Sequence, residues 1–151
     1  MRDARDIYQA HLDRVSEALW NGDFAAVADL KVYPHVIEIE TGQVESLDRE
    51  ALLATTEAFR RSLGEIGASA YHRVCLLAEF APDDDDLIEG RHVTYVLRGG
   101  NYVAPPFECR MALRRIDGQW LSGRIVVPFC ATTTLRSFRP SDVRYGDRYA
   151  S

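Results

Sequence analysis

The alternation of apolar and polar residues is clearest between positions 107 and 129, where it predicts one long β-hairpin. Asp117-Gly118 separates two apolar runs and is a strong signal for the turn. We expect a three-residue loop that begins at Ile116, because it pairs odd-numbered positions with odd-numbered ones. A two-residue loop would pair odd with even positions and mix the two faces of the sheet. The predicted core face is Phe107, Cys109, Met111, Leu113, Leu121, Gly123, Ile125, Val127 and Phe129.

The preceding pattern predicts three helices and an early strand. Apolar positions at helical spacing indicate helices over residues 3–21, 24–30 and 48–65. Alternation over residues 33–41 indicates a strand, and Pro34 places it at a sheet edge or at the beginning of the strand, because proline lacks a main-chain donor. The predicted core face of this strand is Tyr33, His35, Ile37 and Ile39.

Two further strands are expected over residues 69–80 and 87–98, joined by a solvated acidic turn. We expect His72 and Tyr95 to face the core, which leaves His92 on the outer face. A tight turn would place Tyr95 directly opposite His72. These strands complete a sheet that the helices cover on one side.

Composition indicates a soluble protein of one domain. The chain has 151 residues, and its net charge of −5 argues against nucleic acid as a partner. No apolar run is long enough for a membrane span, and the charged N-terminus lacks an apolar signal core, so we predict a cytoplasmic protein. Cys75, Cys109 and Cys130 are interpreted as buried thiols, and no cysteine or histidine spacing is that of a zinc site. We therefore predict no metal ligands and no cofactor.

The end of the chain differs in character from the rest. Residues 131–151 have no regular apolar period and carry more arginine than aspartate. We predict that residues 1–130 form the single domain. Phe138, Tyr145 and Tyr149 are expected to hold the tail against this domain or against a second subunit.

The order of these elements resembles that of the nuclear transport factor 2-like superfamily, which includes SnoaL-like polyketide cyclases, ketosteroid isomerases and scytalone dehydratase. The resemblance covers about residues 7–129 and rests on element order, on the strand over 33–40 and on the turn over 116–120. It implies an α+β, cystatin-like fold in which three helices cover a strongly curved mixed or antiparallel sheet as a cone. The fold alone assigns no activity.

A cone of this kind has a pocket at its mouth, so polar residues at core-facing positions are candidates for chemistry. Histidines that converge in an apolar pocket suit proton abstraction next to a carbonyl, and a tyrosine can stabilise the oxyanion. Each histidine could instead be an idle core residue. The predicted catalytic residues are His35, His72 and Tyr95. The predicted substrate-binding residues are His11, Tyr8, Tyr33 and Arg91, although a salt bridge from Arg91 to Glu89 or Glu79 is the interpretation we favour.

Together these expectations describe a SnoaL-like protein that binds a small hydrophobic carbonyl compound. As an enzyme it would be a cofactor-free isomerase, cyclase or dehydratase. The alternative is a non-enzymatic ligand-binding or dimerisation module, and a third possibility is the small subunit of a ring-hydroxylating dioxygenase. The resemblance also implies a homodimer through the outer sheet face, where Arg110 and Arg124 accompany the large aromatic Trp120.

Overall fold

The computed structural model describes residues 2–128 of the chain. These residues form three helices and one six-stranded sheet. The helices are α1 (Ala4–Trp20), α2 (Phe24–Asp29) and α3 (Arg49–Glu65). The strands are β1 (Lys31–Ile39), β2 (Val44–Leu47), β3 (Ala70–Ala81), β4 (Asp84–Arg98), β5 (Asn101–Ile116) and β6 (Gln119–Val127). The predicted α+β class is confirmed. The expected packing of residues 131–151 lies outside the described residues, as do Phe129 and Cys130.

Each helix begins directly after an aspartate that caps it. The carboxylates of Asp3, Asp23 and Asp48 accept hydrogen bonds of 2.8, 3.2 and 2.8 Å from the main-chain N–H three residues later. Each bond satisfies a donor that has no partner within its own helix. The predicted helix ends are correct to within one residue, because these caps are visible in the sequence.

The sheet is curved and has the strand order β2-β1-β6-β5-β4-β3. β1 runs parallel to β6, and all other neighbours are antiparallel. β1 therefore lies inside the sheet, and its predicted edge position is wrong. Pro34 is tolerated because β2 pairs only from His35 onward, while the pairing with β6 shifts between Lys31 and Val36.

The predicted loop of the β5–β6 hairpin is wrong. Asp117 and Gly118 form a two-residue turn with φ of 51° and 79°, and Ile116 pairs with Gln119. A bulge between the pairs Leu113–Ser122 and Ala112–Arg124 then restores odd-with-odd pairing farther along the strands. The predicted loop did not allow for a bulge. A bulge permits a two-residue turn without mixing the faces over the whole hairpin.

This register moves two residues to the covered face of the sheet. Ser122 is fully buried there, and Trp120 packs against the apolar cluster around Tyr8, with its ring 6.2 Å from that of Phe80. The prediction that Trp120 belongs to the outer face is therefore wrong. Arg124 does lie outside, where it forms an ion pair with Glu38.

The predicted faces of the first half of β3 and of the middle of β4 are also wrong, whereas Ala78 and Phe80, beyond a bulge in β3, pack against the core as predicted. Arg73 is 8% exposed on the covered face, whereas His72 is exposed on the other side. Along β4, His92 is buried on the covered face and Tyr95 is half-buried on the outer face. The predicted pairing of Tyr95 with His72 is confirmed. Both faces of these strands carry apolar residues, so alternation alone does not distinguish inside from outside.

Candidate active site

A cavity of about 490 Å³ lies between the helices and the covered face of the sheet. This volume is typical of a site for a small organic molecule. Most of its wall is apolar, including Val15, Leu19, Ile37, Ile39, Phe59 and Phe107. The polar residues of the wall come from several strands and include Lys31, His35, Glu45, Tyr71, Arg73, His92 and Thr94.

His92 and Tyr8 form a buried hydrogen-bonded pair. The Tyr8 hydroxyl lies 2.7 Å from Nδ1 of His92, and both side chains are fully buried. Burial raises the pKa of Tyr8, so the phenol keeps its proton and needs an acceptor. We infer that the phenol donates to Nδ1, because the opposite arrangement would leave the phenol proton and Nε2 both without partners. His92 then carries its own proton on Nε2, which is buried and unpartnered among residues 2–128.

Gly90 is the reason that Tyr8 can reach His92. A Cβ at position 90 would lie 2.5 Å from Cε2 of Tyr8 and 2.8 Å from the carbonyl oxygen of Leu77. The Tyr8 ring thus occupies the space that any other side chain would need.

His35, on β1, lines the cavity and is 2% exposed. Its Nδ1 is buried without a hydrogen-bond partner among residues 2–128. Burial lowers the pKa of His35 to about 3, and the charge of Lys31 lowers it too. His35 is therefore a neutral imidazole at neutral pH.

His11, on α1, is equally buried but is not part of the cavity wall. Burial lowers the pKa of His11 to about 3, with smaller effects from the charges of Lys31 and Arg73, while the nearby Trp120 main chain opposes the shift. Burial likewise holds the pKa of His92 well below its usual value, and the charges of Arg73 and Lys31 act in the same direction. The cavity wall therefore contains two neutral imidazoles, His35 and His92, and His11 is a third buried outside the wall.

Two cations accompany these imidazoles. The Arg73 guanidinium donates hydrogen bonds to the Ser16 hydroxyl at 2.8 Å and to the Leu12 carbonyl at 3.3 Å, and neither acceptor is charged. Lys31 is half-buried; burial lowers its pKa to about 7, and the Arg73 charge adds to this effect. No carboxylate among residues 2–128 forms an ion pair with either cation.

A further polar group of the wall is Tyr71, on β3. Burial raises the pKa of its phenol, so Tyr71 stays protonated and can donate a hydrogen bond. Its ring meets the Phe59 ring edge-on, with centroids 5.7 Å apart. No hydrogen bond joins its hydroxyl to another residue of the described chain. The hydroxyl is therefore a donor that a bound molecule could use.

Only some of the predicted site residues lie at the cavity. His35 is in its wall as expected, and Tyr8 supports the wall through His92. His11 is buried behind the wall. Tyr33 is not a lining residue, because its hydroxyl donates to the Ala28 carbonyl at 2.7 Å.

The other predicted site residues lie elsewhere. His72 lines a separate surface cleft between α1 and β3. Tyr95 stacks on Tyr102 on the outer face, with ring centroids 6.2 Å apart. Arg91 lies on that face and forms a salt bridge with Glu108 at 3.9 Å, so the favoured salt bridge exists with a different partner. Their inward placement is wrong because the faces of the first half of β3 and of the middle of β4 are the reverse of those predicted.

Sequence reasoning missed four residues of the wall. His92, Arg73 and Tyr71 were assigned to the outer faces of their strands, and Lys31 precedes the predicted start of β1. Gly90 carried the only local signal, since a glycine within a strand often marks the close approach of another group. That signal indicates the inner face of β4 and, with alternation, His92.

Among residues 2–128, no three histidine, cysteine, aspartate or glutamate side chains are grouped so as to hold a metal ion. No helix in that part of the chain is long and apolar enough to cross a membrane. The predicted cytoplasmic location stays a prediction.

No protein-family model and no curated protein matches the sequence. Solved structures do match. Aln2 from a Streptomyces species aligns with a TM-score of 0.62 at 18% identity, over 80% of this chain and 86% of its own. An NTF2-like protein with a cystatin-like fold from Novosphingobium aromaticivorans aligns with a TM-score of 0.59 at 18% identity, over 87% and 88%. An NTF2-like protein from Cytophaga hutchinsonii aligns with a TM-score of 0.61 at 14% identity, over 83% and 97%. The chain therefore has the nuclear transport factor 2-like, cystatin-like α+β fold that its order of elements predicted.

Proposed function

We propose that the cavity binds a small, largely apolar carbonyl compound and that the protein moves a proton next to the carbonyl without a cofactor, as an isomerase, cyclase or dehydratase does. The observation that carries this proposal is that His35 and Tyr71 line the same apolar cavity. They come from β1 and β3, which are far apart in the strand order, and the curvature of the sheet brings both to one space.

His35 is the proton acceptor in this proposal. Its neutral imidazole has an unpartnered ring nitrogen and needs no prior loss of a proton at neutral pH. Tyr71 donates a hydrogen bond to the carbonyl oxygen, where negative charge develops as the proton leaves. Tyr71 thus takes the role that the sequence assigned to Tyr95 or Tyr33. His92, which Tyr8 holds in place, forms a neutral and rigid support beside the reacting groups.

The second candidate function is ligand binding without catalysis. The low pKa of His35, about 3, favours it, because a base this weak removes a carbon-bound proton slowly. Both candidates use the same cavity, so an experiment must separate binding from proton transfer.

Solvent deuterium exchange separates them. The α-protons of 1-tetralone, a bicyclic ketone, are followed by ¹H NMR in D₂O with and without the protein. We expect the wild type to accelerate exchange and His35→Ala to lower the rate by about 100-fold, the scale of one acid–base group. His72→Ala removes a histidine outside the cavity and should retain the rate. Binding of the ketone with exchange no faster than in buffer would favour the ligand-binding function.

We also propose that the outer sheet face forms a homodimer through Arg110 and Arg124, without Trp120. Arg110 is exposed, and Arg124 remains exposed beside Glu38. Sedimentation velocity is the test: Arg110→Glu with Arg124→Glu should give the mass of a monomer. A wild-type monomer at micromolar concentration would contradict the proposal.

A further inference from the structure

The two cations of the cavity wall, Lys31 and Arg73, have no counter-charge among residues 2–128. Every salt bridge in that part of the chain joins other residues. Glu45 is the carboxylate in the cavity wall, and it pairs with neither cation. The titratable neighbours supply no negative charge either, since His11, His35 and His92 are neutral imidazoles. Burial raises the pKa of Tyr8, Tyr71 and Cys109, so these groups keep their protons.

Buried charges in folded proteins are normally paired, because removing an ion from water is costly. Ser16 and Leu12 satisfy two donors of Arg73 but supply no negative charge. Arginine keeps its proton under all ordinary conditions, so its charge persists in the empty cavity. Lysine can lose its proton: burial first, and the Arg73 charge second, lower the pKa of Lys31 to about 7. Lys31 and Arg73 therefore make a positive site in the largely apolar wall of the cavity.

We infer that the ligand of this cavity carries a carboxylate, which Lys31 and Arg73 bind while the apolar wall encloses the rest of the molecule. The inference rests on the proposed function, since it names the class of compound that the same cavity accepts: an apolar carboxylic acid that also has a carbonyl group. A carboxylate matches the planar guanidinium of Arg73 and supplies the negative charge that both cations lack.

A carboxylate bound by the two cations also makes His35, the proposed base, a stronger base. Burial is the main cause of the low pKa of His35, and the positive charge of Lys31 is the second. A bound carboxylate offsets that charge, so the pKa of His35 rises in the complex and His35 becomes a stronger base. The anionic group of the substrate thus contributes to catalysis as well as to recognition.

The chain offers a direct probe of this site, because Lys31 is its only lysine. Protein labelled with ¹³C-lysine gives one ε-methylene signal, whose pH titration reports the pKa of Lys31 alone. Naphthalene-2-carboxylate and naphthalene-2-carboxamide are suitable probes, since they have the same size and shape and differ in charge. Calorimetry gives the dissociation constant of each.

We expect the carboxylate to bind at least about tenfold more tightly than the amide, which corresponds to about 1.4 kcal/mol. The carboxylate should move the lysine titration above its midpoint of about 7 in the free protein, and the amide should leave it in place. Lys31→Met should reduce the preference for the carboxylate, and Lys31→Arg should retain it. Arg61→Gln, which removes an exposed cation on α3, is the matched control and should change neither value.

The outcomes are distinguishable. Equal binding of the two probes, with an unchanged lysine titration, overturns the carboxylate inference and leaves the proposed carbonyl-binding function standing. If neither probe binds at millimolar concentration, the cavity is not a site for such molecules, and the proposed function fails together with the inference. Circular dichroism of each variant confirms that it is folded.

Discussion

Two polar pairs lie on the covered face of the sheet, and they are built in opposite ways. The Tyr8–His92 pair is neutral, fully buried and joined by a 2.7 Å hydrogen bond. The Lys31–Arg73 pair consists of two cations that no carboxylate among residues 2–128 balances. The first pair satisfies most of its own hydrogen-bonding capacity, whereas the second leaves its charge to be satisfied from outside the chain.

The difference separates support from recognition. A buried polar group with a partner stabilises one arrangement of the core, because losing that partner costs the full desolvation of the group that remains. A buried charge without a partner destabilises the protein when no ligand is bound. It contributes to function only when a ligand supplies the opposite charge. Changes in the two pairs should therefore have opposite effects on stability, which the following experiments test.

The largest effect is expected at Gly90, which makes room for Tyr8. In Gly90→Ala the new methyl group meets the Tyr8 ring and the Leu77 carbonyl, so the free energy of unfolding should fall by about 3 kcal/mol. Urea unfolding measures the change. Gly100→Ala is the control, because nothing lies within 4 Å of the added Cβ there. Similar losses in both variants would show that the Tyr8 contact is not the cause.

A smaller loss is expected when the pair keeps its shape but loses its hydrogen bond. Tyr8→Phe leaves Nδ1 of His92 buried and unpartnered, which should cost about 2 kcal/mol of unfolding free energy. Tyr95→Phe removes a hydroxyl on the outer face and serves as the matched control. If the two substitutions lower the free energy of unfolding by the same amount in chemical denaturation, the Tyr8–His92 hydrogen bond does not stabilise the core as expected.

The opposite sign is expected at the cationic pair. Lys31→Met should stabilise the ligand-free protein by about 1 kcal/mol at pH 6, because an apolar side chain replaces a buried charge. The pKa of Lys31 is lowered from 10.5 to about 7, so the unfolded chain binds more protons between these values and wild-type stability should rise over that range. The penalty is fully present below pH 7. Unfolding curves at several pH values should lose this rise in the variant, and its persistence would contradict the assignment.

The smallest effect is expected outside both pairs. His72 is exposed in the cleft between α1 and β3, so His72→Ala should change the free energy of unfolding by less than about 0.5 kcal/mol. The same variant should retain exchange activity and carboxylate binding. A marked loss of exchange activity or of carboxylate binding would show that His72 contributes to the site.

The fold was more predictable than the site. The aspartate caps of the helices and the strong alternation of β5 and β6 depend on residues that are close along the chain, so the sequence alone reveals them. The faces of β3 and β4 were not predictable in this way, because both sides of these strands carry apolar residues. As a result His72 and Tyr95 were chosen where Arg73 and His92 line the cavity.

The sequence by itself determined the order of elements, the covered face of β1 with His35, and hence the nuclear transport factor 2-like fold. These follow from interactions between residues that are close along the chain. Only the tertiary structure decided that a bulge after Ser122 resets the hairpin, that Tyr8 bonds His92, and that Lys31 and Arg73 line one cavity. Such features depend on which distant residues the curved sheet brings together. A local sequence pattern does not indicate which residue a buried polar group will contact.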